Sequence, residues 1–141
     1  VDQQRLIPDS QFANNVASAP ISVAGACVDD DANSNEGLST STALNWGVGG
    51  FNGVICGYTE DWFELQPPSD GTISISLGFD DGDLDLVVFD ALGNVLADAA
   101  TENQPESIEF AYTLDIGSVF VQVDGFEDAQ SDYTMTWEFA Q

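Results

Sequence analysis

The sequence predicts an all-β protein built as an antiparallel sandwich of two packed sheets. Apolar and polar residues alternate in several segments, turn residues separate these segments at short and regular intervals, and no segment has the apolar period of an amphipathic helix. Short strands with one apolar face each cannot all bury those faces in one flat sheet. Two sheets packed face to face are therefore expected.

Two strands show the alternation most clearly. In residues 72–77, isoleucine and leucine alternate with threonine and serine, so one face is apolar and the other is hydroxylated. The last strand, residues 133–139, repeats the pattern with larger side chains. The apolar positions of the two strands are Ile73, Ile75, Leu77, Tyr133, Met135, Trp137 and Phe139.

Further strands are predicted between clusters of turn residues. They cover residues 62–66, 84–89, 95–97, 108–114 and 119–123. The turns that separate them are residues 67–71, 81–82, 91–94 and 115–117, which are rich in Gly, Pro, Asp and Asn. The turn at 91–94 predicts a hairpin.

The length of 141 residues fits one domain with a single core. The first 26 residues have no clear period, although residues 16–24 are weakly strand-like. We therefore expect an N-terminal arm or linker at 1–26 and one β-sandwich domain at 27–141. Residues 28–42 are polar, acidic and rich in turn residues, which favours a ligand-bearing loop.

The charge is extreme, with 25 acidic residues against a single basic one, Arg5, and a formal net charge of −24. Such a charge favours a saline habitat, marine or halophilic, in which salt screens the repulsion between carboxylates. The alternative is a surface that is acidic for solubility alone. Nucleic acid is excluded as a partner, because phosphate binding requires a patch of Lys and Arg.

The composition also excludes most enzyme chemistry. Without histidine there is no Ser-His-Asp or Cys-His site, and without lysine there is no Schiff base or P-loop. Glycosidases use a pair of carboxylates, but in a chain with 25 acidic residues such pairs arise often and do not indicate an active site. We expect no enzyme activity.

The two cysteines, Cys27 and Cys56, are best explained as one disulfide, with two free buried thiols as the alternative. A disulfide indicates an oxidising, secreted or extracellular location. The N-terminus lacks the basic and apolar regions of a signal peptide, so any export signal would already be removed. No apolar run reaches the roughly 18 residues of a membrane span.

The loop at 27–37 crowds oxygen donors together, which is the ligand type that calcium prefers. Asp31, Asn33 and Asn35 match the first three ligand positions of an EF-hand loop, but Glu36 stands where that loop needs glycine. Calcium binding and a solvated acidic turn both remain open. A second acidic run, residues 81–85, is better explained as a turn before a strand.

Aromatic residues at four positions fall in or near predicted loops, where exposed rings could stack on sugars or meet an apolar partner. Packing in the core is the alternative for each. The four are Trp46, Phe51, Tyr58 and Phe79.

The order of several motifs resembles the bacterial pre-peptidase C-terminal domain, a family related to the collagen-binding domains of clostridial collagenases. The resemblance covers about residues 27–139. The motifs are an acidic-Asn-acidic loop (31–36), an Asp-aromatic-aromatic strand (61–65), a hydroxyl-rich strand (72–77), a Gly-Asp-Leu-Asp-Leu strand (82–86), an Asp-x-x-Gly-Asn hairpin (90–94) and a final Tyr-Thr-x-Thr strand (133–136).

The resemblance implies a jelly-roll-like β-sandwich that holds Ca²⁺ between the N-terminal loop and the start of the Asp-aromatic strand. Carried over by position, the implied ligands are Asp31, Asn33, Asn35, Glu36 and Asp61. Two departures remove negative charge from this set: Thr59 replaces a frequent aspartate, and Asn33 replaces a usual acidic residue.

The leading hypothesis for function is a non-catalytic, calcium-stabilised accessory or binding module of an exported protein, which aids attachment, folding or secretion. Its partner would be a carbohydrate or protein surface. The alternative is a self-assembling extracellular subunit, in which the N-terminal arm adds as a strand to another copy. An acidic hydrolase is the least favoured hypothesis.

Overall fold

The computed structural model of the protein describes residues 27–28, 35–102 and 104–141. The arm at 1–26 lies outside this part. Within it the chain forms nine strands, β1 Thr42–Ala43, β2 Gly49–Cys56, β3 Glu60–Leu65, β4 Gly71–Phe79, β5 Leu84–Asp90, β6 Val95–Ala99, β7 Glu106–Tyr112, β8 Val119–Gly125 and β9 Gln130–Ala140. No helix in these ranges is long and apolar enough to cross a membrane.

The strands form two sheets that pack face to face, which confirms the predicted β-sandwich. One sheet has the order β1-β3-β8-β5-β6 and the other has the order β2-β9-β4-β7. Every connection between consecutive strands except β5–β6 crosses from one sheet to the other, as in a jelly roll. The sheets are antiparallel except at β1, which pairs with β3 in parallel over two residues.

The core lies between the sheets and is built from the predicted alternation. Ile73, Ile75 and Leu77 of β4 are buried, while the residues between them face outward. On β9, Tyr133, Met135 and Trp137 are buried in the same way. Burial of apolar area at about 25 cal/mol per Å² is the main favourable contribution to folding such a layer.

Strand β2 was not predicted, because its glycine-rich sequence has little strand propensity. Two of its glycines are required by packing. A Cβ on Gly49 would overlap the indole of Trp137, and a Cβ on Gly53 would overlap the ring of Tyr133. The large side chains of β9 therefore bring β2 into the sheet through tertiary contact.

Two aromatic residues that were expected in or near loops, Phe51 and Phe79, pack in or against the core, which is the alternative that the sequence left open for each of them. Phe51 lies on β2 and packs against Phe63 and Tyr133, with ring centroids 4.9 and 6.2 Å apart. Phe79 ends β4 and is only 6% exposed. Phe51 faces inward because it belongs to the unpredicted strand β2, and Phe79 faces inward because β4 runs beyond its predicted end at residue 77.

Candidate functional site

The candidate site lies where the segment from Asn35 onward meets the start of β3. The backbone N–H of Trp62 donates to the carbonyl oxygen of Asn35 at 2.8 Å, and the N–H of Leu44 donates to the carbonyl oxygen of Glu64 at 2.8 Å. A 3₁₀ turn, Leu38–Thr40, lies between these contacts. The segment is therefore held along β3, beside Asp61.

Asp61 faces the interior of the sandwich and is 0% exposed. The hydroxyl of Tyr133, from the opposite sheet, donates a hydrogen bond to its Oδ2 atom. A buried carboxylate is costly unless it is hydrogen-bonded or paired with positive charge. Because the described residues contain no Lys, Arg or His, no side chain among them can supply that charge.

Asn35 is the second buried polar residue of the site and is also 0% exposed. Among the residues that the structure describes, neither its Oδ1 atom nor its Nδ2 atom has a hydrogen-bond partner. Buried amide groups in proteins are nearly always paired, so this side chain needs an explanation. An amide oxygen is one of the ligand types that calcium takes.

Of the five predicted calcium ligands, the structure places Asn35 beside the start of β3 through its backbone contact with Trp62, the residue after Asp61. Glu36 follows Asn35 directly and is exposed. Asp31 and Asn33 lie outside the described residues. Within 27–28, 35–102 and 104–141, no three Asp, Glu, Cys or His side chains are grouped so as to hold a metal ion.

A disulfide joins Cys27 to Cys56, as expected from the two cysteines, with the Cα atoms 5.4 Å apart. It fixes the chain before the acidic loop to the last residue of β2. Thr59, one of the two departures noted in the sequence, lies in the same region, between β2 and β3. Its hydroxyl accepts a hydrogen bond from the backbone N–H of Cys56 at 3.0 Å, so it closes the turn between β2 and β3.

No protein-family model matches the sequence, and no curated protein sequence matches it. Solved structures do match. The pre-peptidase C-terminal domain of the collagenase from Bacillus anthracis superposes with a TM-score of 0.61 and 14% identity, over 70% of this chain and 94% of that one. The chain has the fold of a pre-peptidase C-terminal domain.

Two other solved structures share the sandwich. PliG from Aeromonas hydrophila, a periplasmic inhibitor of g-type lysozyme, has a TM-score of 0.55 and 12% identity, over 70% of this chain and 96% of that one. The Yersinia pseudotuberculosis-derived mitogen has a TM-score of 0.50 and 15% identity, over 65% and 85%. The likeness among these proteins is one of fold.

The second acidic run of this pre-peptidase C-terminal fold forms the turn between β4 and β5, as its sequence favoured. Gly82 has a positive φ of 73°. The carbonyl oxygen of Asp83 accepts a hydrogen bond from the backbone N–H of Phe126 at 2.9 Å. Leu84 is fully buried at the start of β5. These contacts give the run a structural role.

Sequence reasoning missed a row of carboxylates on the outer face of the five-stranded sheet. Glu60, Asp124 and Asp85 lie side by side on β3, β8 and β5. Burial, followed by the neighbouring carboxylates of Asp83, Asp124 and Glu106, raises the pKa of Asp85. Burial also raises the pKa of Asp124. The row depends on strand register, which no local pattern reveals.

Two of the four candidate surface aromatics are exposed. Trp46 is 51% exposed and meets the ring of Phe139 edge-on, at 6.3 Å between centroids. Tyr58 is 87% exposed, and hydrogen bonding to Asp128 raises its pKa. A surface role for these two residues stays a prediction.

Proposed function

We propose that this protein is a non-catalytic, calcium-stabilised accessory or binding module of an exported protein, which attaches that protein to a carbohydrate or protein surface. The observation that carries the calcium part is the side chain of Asn35, which lies beside the start of β3. It is fully buried, and neither of its amide atoms has a hydrogen-bond partner within the described part of the chain. A cation bound by its Oδ1 atom would account for the burial of that oxygen.

Asp61 fits the same cation. Its carboxylate is buried in the sandwich, and calcium supplies positive charge that offsets the cost of burying it. The remaining ligands would come from the acidic loop, with Asp31, Asn33 and Glu36 as the candidates. Calcium bound in this way holds the N-terminal loop against β3.

Two observations support the non-catalytic part: the side-chain types that the sequence lacks, and the fold that the chain shares with a pre-peptidase C-terminal domain. The sequence contains no histidine or lysine, which removes the common nucleophile and general-base arrangements. Export is supported by the disulfide between Cys27 and Cys56, because such bonds persist in oxidising compartments.

The test is thermal unfolding in a chelator and then in calcium raised to about 10 mM, above the dissociation constants typical of extracellular modules. The melting temperature of the wild type should rise with calcium, because a ligand that binds only the folded state stabilises it by about 2.7 kcal/mol at 100 times Kd. Asp61→Asn keeps an acceptor for Tyr133 but removes the charge, so most of the shift should disappear.

The matched control is Asp98→Asn, which removes the same charge from an exposed position on β6 and should leave the calcium-dependent shift intact. An unchanged melting temperature in the wild type across the whole calcium range would refute calcium stabilisation. An equal loss of the shift in both variants would show that total charge, and not the site at Asp61, is responsible.

A further inference from the structure

The outer face of the five-stranded sheet carries a group of large apolar side chains. Strand register places them in two neighbouring rows that run across β3, β8, β5 and β6. On β3, β5 and β8 they alternate with the buried residues that point into the sandwich. We call this group the aromatic face. Its members are Trp62, Val87, Phe89, Val95 and Phe120.

The aromatic face is separate from the core between the sheets, and none of its five side chains belongs to the core cluster. Trp62 and Phe89 come from the strands on either side of β8, which are about 9–10 Å apart at the usual strand spacing. Their ring centroids are nevertheless only 5.3 Å apart. The two rings therefore lean towards each other across β8, the strand that carries Phe120.

The outer face of the other sheet has the opposite character. Its outward positions on β4 and β9 are Thr72, Ser74, Ser76, Thr134, Thr136 and Glu138. A polar outer face is what an antiparallel sheet with one solvated side should have. The aromatic face departs from that rule, and an outward apolar patch with a polar border is typical of a binding surface.

Carboxylates border the aromatic face on two sides. Glu64 pairs with Phe120 and ends its row at β3. The row formed by Glu60, Asp124 and Asp85 adjoins the row that contains Trp62 and Val87. The described residues include no Lys or Arg that could pair with these carboxylates. The border therefore presents uncompensated negative charge beside the rings.

This charge determines which protein surface fits the aromatic face. Protein interfaces commonly have an aromatic centre and a polar or charged rim, and the rims of the two partners carry opposite charges. The complement of this face is an apolar centre surrounded by positive charge. A second copy does not fit, because each copy has a formal net charge of −24 and would bring carboxylates against carboxylates.

The arrangement of the rings does not suit a sugar, which would need the open face of an aromatic ring. The planes of Trp62 and Phe89 are 31° apart at a centroid distance of 5.3 Å, as in offset stacking. Each ring thus turns one face towards the other. The indole N–H of Trp62 donates to Oε2 of Glu60 at 2.7 Å, which fixes the ring in this orientation.

We propose that the aromatic face docks a basic protein surface, in which Lys and Arg side chains surround an apolar centre. This inference rests on the proposed function as an attachment module, and it names a protein as the surface to which the module attaches. Trp62 and Phe89 supply the apolar contact, and the bordering carboxylates pair with the partner's cations. Because the rings already hold each other in place, docking costs little side-chain entropy.

The test measures binding of labelled peptides to the whole chain by fluorescence anisotropy, in about 0.15 M NaCl. The probe peptide has three lysines on either side of a Leu-Phe-Leu centre. A charge-only peptide has Ser-Gly-Ser at the centre, and an apolar-only peptide has glutamates in place of the lysines. The wild type should bind the probe at least about tenfold more tightly than either of the others.

Trp62→Ala and Phe89→Ala remove the apolar contact, and each should weaken binding of the probe about tenfold or more. Glu64→Gln tests the border without removing a ring, so it gives a readout if a ring variant fails to fold. It should lower the affinity and its dependence on salt. Glu138→Gln is the matched control, because it removes the same charge from the outer face of the other sheet.

Three results would overturn the inference. The first is a wild type that binds the probe no more tightly than the charge-only peptide. The second is a pair of ring variants that melt at lower temperature but bind the probe as the wild type does, because the rings would then have only a structural role. The third is equal weakening by Glu64→Gln and Glu138→Gln, which would assign binding to total charge.

Two further measurements separate this inference from the proposed function. If the wild type is retained on insoluble cellulose or chitin and Trp62→Ala is not, the assignment to a protein is wrong, although the attachment role stands. If sedimentation velocity shows dimers that Trp62→Ala abolishes, the occupant is a second copy and the inference is wrong. If no peptide or polysaccharide is bound, this inference and the attachment role are both refuted, while calcium stabilisation is decided by its own melting experiment.

Discussion

At the scale of single residues, adjacent glycines of β2 have opposite environments. Gly49 faces inward, where the Trp137 ring lies against its Cα, and this ring is fixed by a hydrogen bond from its Nε1 atom to the carbonyl oxygen of Asn45 at 2.7 Å. Gly50 faces outward, where an added Cβ has room. The fold therefore depends on the first glycine and not on the second.

This difference predicts the effect of the same substitution at neighbouring positions. Gly49→Ala should reduce the free energy of unfolding by about 1–3 kcal/mol, because the new methyl group must displace the Trp137 ring. Gly50→Ala should leave it unchanged or raise it by about 0.4–1 kcal/mol, because the unfolded chain loses freedom. Urea unfolding of both variants measures this. Equal losses at the two positions would mean that the Trp137 contact does not constrain the strand.

At the scale of elements, strands with their own alternating pattern were predictable. β4 and β9 were predicted within three residues of their ends, because their apolar faces show directly in the sequence. β2 was missed because its place in the sheet depends on the large side chains of β9 that lie over its glycines. Local propensity cannot report a contact between residues about 85 positions apart.

The candidate site was likewise predictable only in part. Asp61 was predicted because the motif that opens β3 resembles a known family, and the disulfide followed from two cysteines in an acidic chain. The row of Glu60, Asp124 and Asp85 was not predicted. It is a property of register between distant strands, which side-chain periodicity within one strand does not determine.

At the scale of the whole molecule, negative charge dominates. The described residues contain no Lys or Arg, so carboxylates face one another without positive neighbours. The clearest case is the pair Asp85 and Asp124, whose pKa values are both raised, chiefly by burial. Hydrogen bonding to Asn94 instead lowers the pKa of Asp90 in the β5–β6 hairpin.

These shifts predict an unusual pH dependence in the absence of calcium. Because the pKa values of Asp85 and Asp124 are higher in the folded state, the folded protein binds more protons than the unfolded chain as the pH falls from neutral towards about 5. Stability should therefore rise over this interval. It should fall again below about pH 4, where Asp90 loses the stabilisation given by its ionised form.

Melting temperatures across this pH range in a chelator measure the effect, and Asp85→Asn is the informative variant. It removes one of the titrating groups, so its melting temperature should vary less between neutral pH and about pH 5 than that of the wild type. A melting temperature that declines steadily from neutral pH to about pH 5 in the wild type would show that the carboxylate row does not control stability.

We propose above that a calcium ion completes the site between the N-terminal loop and β3. The most direct measurement is a crystal structure grown with calcium, with anomalous diffraction data to locate the ion. We expect an anomalous peak within calcium–oxygen bonding distance, about 2.3–2.6 Å, of Oδ1 of Asn35 and a carboxylate oxygen of Asp61. The absence of such a peak at saturating calcium, with the Asn35 amide hydrogen-bonded to protein or water, would show that calcium does not bind there.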